Sequence, residues 1–136
     1  MFFRRGIAAF ALIVCTAASA PITAQTRTPP PAALPAEMLG SWGREEVDCT
    51  DIQSDGRLHV TPKQVQFADN TLTISRIASQ KEGWFRVEGV NREEGKRGTR
   101  RASLELRLQG KDTLFIRNGP GRPEDFVRCK PAQLQG

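Results

Sequence analysis

"RRASLELRLQ", residues 100–109, alternates without a break: Ala102, Leu104, Leu106 and Leu108 fall on one side, and Arg101, Ser103, Glu105 and Arg107 on the other. A period of two is the signature of a strand with one face buried and one face wet, and no helical period fits the same residues. Working outward, Gly110-Lys111 reads as a turn into "DTLFIRN", and the loop "GPGRPE" leads to a last strand, "DFVRCK". On the other side, "SQKEG" precedes the apolar stretch "WFRVEGV". Leu72 and Ile74 alternate, but the next apolar residue is Ile77, three further on, which predicts a bulge near Ser75-Arg76. Asp69-Asn70 suits a tight turn, since both residues tolerate positive φ. Leu58, Val60, Val65 and Phe67 alternate on either side of a Pro62-Lys63 turn.

With a strand through Trp42, this makes about eight short strands joined mostly by tight turns. The predicted fold is all-β, an antiparallel meander closed into a small barrel or a strongly curved sandwich, over residues 38–131. Closure removes the exposed sheet edges that an open meander would leave.

The chain ends read differently. Residues 1–24 have the layout of a secretory signal: Arg4 and Arg5, an apolar run from Gly6 to Val14, then small residues, with cleavage expected after Ala24. Cys15 as a lipidated residue is the competing reading, but Val14 stands where a small residue is required. Residues 25–37 are proline-rich and read as a disordered tether, and 132–136 as a short tail. A periplasmic or secreted location follows from the leader, with no transmembrane span once it is removed.

The whole chain carries 20 Lys+Arg and 15 Asp+Glu; without Arg4 and Arg5, eighteen bases face fifteen acids, a net charge of +3. The stretch 92–101, "REEGKRGTRR", alone holds five bases and two acids. Outside that loop the exported chain is close to neutral, which argues against nucleic acid as a partner.

Removal of the leader also removes Cys15, leaving Cys49 and Cys129 as an even pair in an exported chain. A structural disulfide between them is expected, tying the start of the domain to its end. A redox or metal pair would need Cys or His neighbours at ligand spacing, and His59 is the one histidine.

Gly40-Ser41-Trp42, in "MLGSWGREEVDC" (38–49), resembles the Gly-x-Trp signature on the first strand of lipocalins and of the smaller barrels of related shape, the avidins and the secreted bacterial protease inhibitors. The resemblance implies that Trp42 plugs one end of the barrel with a basic residue from a late strand across its ring. Arg128, beside Cys129, is the candidate. It also implies a role in binding, since barrels of this kind include inhibitors that present a loop or terminal segment to an enzyme cleft.

Candidate sites are few. His59 projects opposite Leu58 and Val60 and reads as a solvent-facing strand residue. Asp48, Asp51 and Asp55 around "SDG" (54–56) lack the alternating oxygen ligands and closing glutamate of a calcium loop. Trp84 and Phe85 must occupy opposite faces of one strand. Lys96, Arg97, Arg100 and Arg101 form the most distinctive cationic feature, suited to an acidic hydrolase cleft or another anionic envelope surface. Neither a nucleophile elbow nor an acid pair in an apolar setting stands out, so the expectation is a non-enzymatic protein without cofactor or metal. The leading expectation is an inhibitor of a hydrolase, a protease or lysozyme, acting through the loop. The alternatives are a carrier of a small apolar ligand, with Trp42 and Trp84 lining the barrel, and an envelope structural protein.

Overall fold

The computed structural model describes residues 32–135. The expected leader, with Cys15, and most of the proline-rich segment lie outside the described residues. Eight strands follow in order: β1 (Gly40–Gly43), β2 (Arg57–Val60), β3 (Gln64–Phe67), β4 (Asn70–Ser79), β5 (Trp84–Glu93), β6 (Arg100–Gln109), β7 (Thr113–Arg117) and β8 (Glu124–Arg128). Each pairs antiparallel with the next, and β8 returns to β1 through Trp42↔Arg128 and Gly43↔Val127, closing the barrel. The all-β, eight-stranded meander expected from alternation is the observed fold.

The alternation of β6 dictates its placement: Leu104 and Leu106 are buried, with Ala102 and Leu108 packed against the same core. Trp42, Leu58, Val65, Leu72, Val87, Leu114 and Phe126 extend the interior from each of the other strands. The bulge falls where the spacing put it, with the β4–β5 register shifting between Ile74 and Arg76. Gly89 lies opposite this kink, and a Cβ there would overlap the Thr73 carbonyl, so glycine lets the two backbones close up. At the Pro62-Lys63 turn, the Thr61 hydroxyl accepts the Gln64 N–H at 2.9 Å.

The seam between β1 and β8 is short, two residue pairs, and it is here that the disulfide sits. A one-turn helix, α1 (Glu46–Thr50), follows β1 and carries Cys49; Cys129 directly follows β8 and its N–H donates to Ser41 O at 3.0 Å. The Cys49–Cys129 bond therefore spans the seam from outside. Helix α1 was not foreseen because five residues show no period. Its sign is local: the Asp48 carboxylate accepts the Glu45 N–H at 2.8 Å, as a capping residue does.

Two boundaries and one side-chain face differ from the sequence expectation. Leu34 and Met38 are buried, joined by a 3₁₀ turn at Ala36–Met38, so residues 34–37 pack with the barrel rather than belonging to a disordered tether. Two apolar side chains suffice to anchor a segment that has no periodicity. Pro131–Gln135 forms a 3₁₀ turn beside α1 where a tail was expected. Trp84 does not line the interior: Phe85 points inward, and Trp84 lies on the outer face of β5. It is nevertheless 7% exposed, because the guanidinium carbons of Arg107 and Arg117 stand 4.7 and 4.6 Å from its ring centroid. Glu105 holds Arg117 in place at 2.6 Å. By the same alternation Phe126 is inside and Phe115 outside, where its ring centroid lies 5.2 Å from the Arg107 guanidinium carbon.

Candidate functional site

The two ends of the barrel are built from opposite chemistry. At the lower end, Trp42 is fully buried and its indole N–H donates to Met38 O at 3.1 Å. Arg128 shares the inward side of β8 with Phe126, and its guanidinium carbon sits 4.2 Å from the Trp42 centroid. The same guanidinium donates to Lys111 O at 2.9 Å, to Leu39 O at 3.3 Å and to Glu37 O. One side chain thus ties β8 to the β6–β7 turn and to the incoming segment under the barrel. With Leu34 and Met38 laid across, this end is closed.

The upper end is open. A cup of about 420 Å³ enters between the ends of the strands, within the range of small-molecule sites. Its lining is mixed: Phe67, Leu72, Leu104, Ile116 and Phe126 supply the apolar part, and Asn70, Asn91, Ser103 and Asn118 are polar. Into it projects Asn91, which shares the inward phase of β5 with Val87 and Gly89. Asn91 is 8% exposed, and its side-chain oxygen has no hydrogen-bond partner. Leaving such an acceptor buried and unpaired costs on the order of 1–3 kcal/mol. The rim adds three arginines, Arg44, Arg100 and Arg122, and one acid, Glu124. Arg44 pairs with Glu124 at 3.0 Å and Arg100 with Glu93; Arg122 forms no ion pair among the described residues.

The four cations singled out in the sequence do not form one surface. Glu93 is paired with both Lys96 and Arg100, and its carboxyl is held below the usual range, first by the Lys96 ammonium and then by Arg100. Arg100 lies on the rim of the cup, in the inward phase of β6, while Arg101 is exposed on the outer face. Arg97 is exposed at the hairpin tip.

The remaining candidates serve local structure. His59 is exposed, and its Nδ1 is 3.0 Å from the Ser41 hydroxyl across the β1–β2 pair. No carboxylate is recorded on the ring among the described residues, so this is a surface hydrogen bond and not a charge-relay arrangement. Asp48 spends its carboxylate on the Ser54 hydroxyl and the Glu45 N–H, and these bonds, Ser54 first, lower its pKa. Asp51 accepts the Gln53 N–H at 2.9 Å. Among the described residues, no three His, Cys, Asp or Glu side chains gather as a metal site would require. No helix of the described residues is long and apolar enough to cross a membrane.

Sequence reasoning missed the cup. Asn91 carried half a signal: continuing the alternation of "WFRVEGV" past Val90 puts it in phase with Phe85 and Val87, but alternation alone does not make that phase the inner one. Arg44 and Arg122 carried none, since only the closure of the barrel brings the loops after β1 and β7 to one rim. Compared with known proteins, the chain matches no family model, no curated protein and no solved structure.

Proposed function

We propose that this protein is an exported, non-enzymatic carrier that holds a small molecule in the open mouth of its barrel. The observation that carries the reading is Asn91, which lines a cup whose far end is closed and whose buried side-chain oxygen has no partner. A buried acceptor with no partner is destabilising unless something else supplies a donor, and a cavity of this size, part apolar and part polar in its lining, is shaped to bring one. The carrier reading takes a different form from that drawn on the sequence, because Trp42 belongs to the closed end and Trp84 to the outside.

The hydrolase-inhibitor reading rests on Lys96, Arg97, Arg100 and Arg101 acting together. Glu93 already engages two of them, and Arg101 faces away from the cup, so the loop lends that reading less support than the mouth lends to a carrier. Native mass spectrometry of the protein purified from its own host tests the choice. A carrier retains a defined added mass, and Ala102→Trp, which fills the mouth from β6, abolishes it. A bare chain mass together with a stoichiometric hydrolase complex would reverse the ranking.

A further inference from the structure

We propose that the occupant of the mouth is a small amphipathic anion: an apolar body in the cup, a hydroxyl or N–H donated to Asn91, and a negative group held at the rim by Arg122. The inference rests on reading the mouth as a ligand site and adds the chemistry of what enters.

Three observations select this class. Phe67, Leu72, Leu104, Ile116 and Phe126 give the cup an apolar share of its lining, which suits a ligand with an apolar body. The Asn91 oxygen accepts and cannot donate, so the matching ligand atom bears a hydrogen. The rim carries three guanidiniums against one carboxylate, and Arg122 is the one whose charge no neighbouring acid among the described residues takes up. A neutral hydrocarbon would satisfy the wall while leaving the acceptor unpaired and covering an arginine without compensation. A cation would meet the arginines at close range. An anion at Arg122 gains a charge-assisted hydrogen bond, and the planar fork of the guanidinium favours a group with two oxygens. Arg122 comes from the loop between β7 and β8, which ends at Glu124 on the same rim.

A matched pair of fluorescent probes separates the claims. Anilinonaphthalene sulfonate carries the apolar body, an N–H and a negative group; phenylnaphthylamine is the same frame without the charge. The sulfonate is expected to bind about tenfold tighter than the neutral probe, a difference of about 1.4 kcal/mol. Arg122→Gln removes that advantage and leaves the neutral probe unaffected. The N-methyl form of the sulfonate, which has no hydrogen to donate, binds more weakly in wild type but equally in Asn91→Leu. Equal binding of charged and neutral probes, or an advantage that survives Arg122→Gln, overturns the anion assignment while the cup stands. An unchanged affinity on N-methylation overturns the role of Asn91. If neither probe binds, or if binding persists in a folded Ala102→Trp or Ala102→Leu variant, the reading of the mouth itself fails.

Discussion

Arg128 covers the ring of Trp42 at 4.2 Å and at the same time donates to three backbone carbonyls, those of Glu37, Leu39 and Lys111. The pair closes one end of the barrel and fixes the entry of the chain beneath it. With this end closed, the open end of the barrel is the one that holds the cup and the unpaired Asn91 oxygen.

Removing the guanidinium should therefore be costly. The cation–π contact contributes roughly 0.5–2 kcal/mol and a charged hydrogen bond roughly 1.5–3. Arg128→Leu is expected to destabilise by about 2–4 kcal/mol, seen as a lower urea midpoint with an unchanged slope. Arg128→Lys should recover less than half, because one ammonium cannot address three carbonyls and stack as well. A loss below about 0.5 kcal/mol for the leucine variant would contradict this account.

The disulfide closes a loop with a sequence separation of 80 residues. Chain entropy alone assigns such a bond roughly 4–5 kcal/mol. The described domain is about a hundred residues, a size at which total stability is usually of that order to threefold larger. Denaturation with and without reductant, and of the Cys49→Ala/Cys129→Ala double variant, should show a matching loss. Coincident unfolding curves would refute it.

Asp48 gives the structure an acid-sensitive corner. Its folded pKa is depressed below the ordinary 3.8 by the Ser54 hydroxyl and the Glu45 N–H. The stabilisation is thus fully present above the unfolded value and is lost as pH falls through the lower, folded one. Asp48→Asn should cost about 1 kcal/mol at neutral pH, the usual worth of a helix-capping acceptor. The gap between variant and wild type should narrow once the pH drops below 3.8 and vanish in stronger acid. A gap independent of pH would show that shape, not charge, matters at this position.

Gly89→Ala tests the bulge. The added carbon meets the Thr73 backbone, which belongs to the pairing strand and has no side-chain freedom with which to yield. A penalty of about 1–3 kcal/mol is expected, as for other overpacked positions. Alanine tolerated with an unchanged melting temperature would mean that the β4–β5 ladder is looser than drawn.

The legible and illegible parts of this molecule divide along a physical line. Leu104 and Leu106 were readable because a strand's period is local, and the bulge because Ile74 and Ile77 break that period by one residue. The Cys49–Cys129 bond followed from parity. Helix α1 was not readable, since five residues are shorter than two helical turns and only Asp48 marks it. Alternation placed Trp84 and Phe85 on opposite faces but could not say which was inside, because that depends on Arg107 and Arg117 being free to cover an outer ring. The cup was hidden for a further reason: Arg44, Asn91 and Arg122 come from three separate parts of the chain and meet only when β8 returns to β1.

The placement of the disulfide bears on how the chain survives cutting. The β5–β6 hairpin tip, residues 94–99, is exposed throughout and contains Lys96 and Arg97 as trypsin targets. A cut there yields one piece carrying Cys49 and another carrying Cys129, still joined by the bond across the seam. The nicked molecule remains a single covalent body and falls apart into two fragments only when it is both unfolded and reduced.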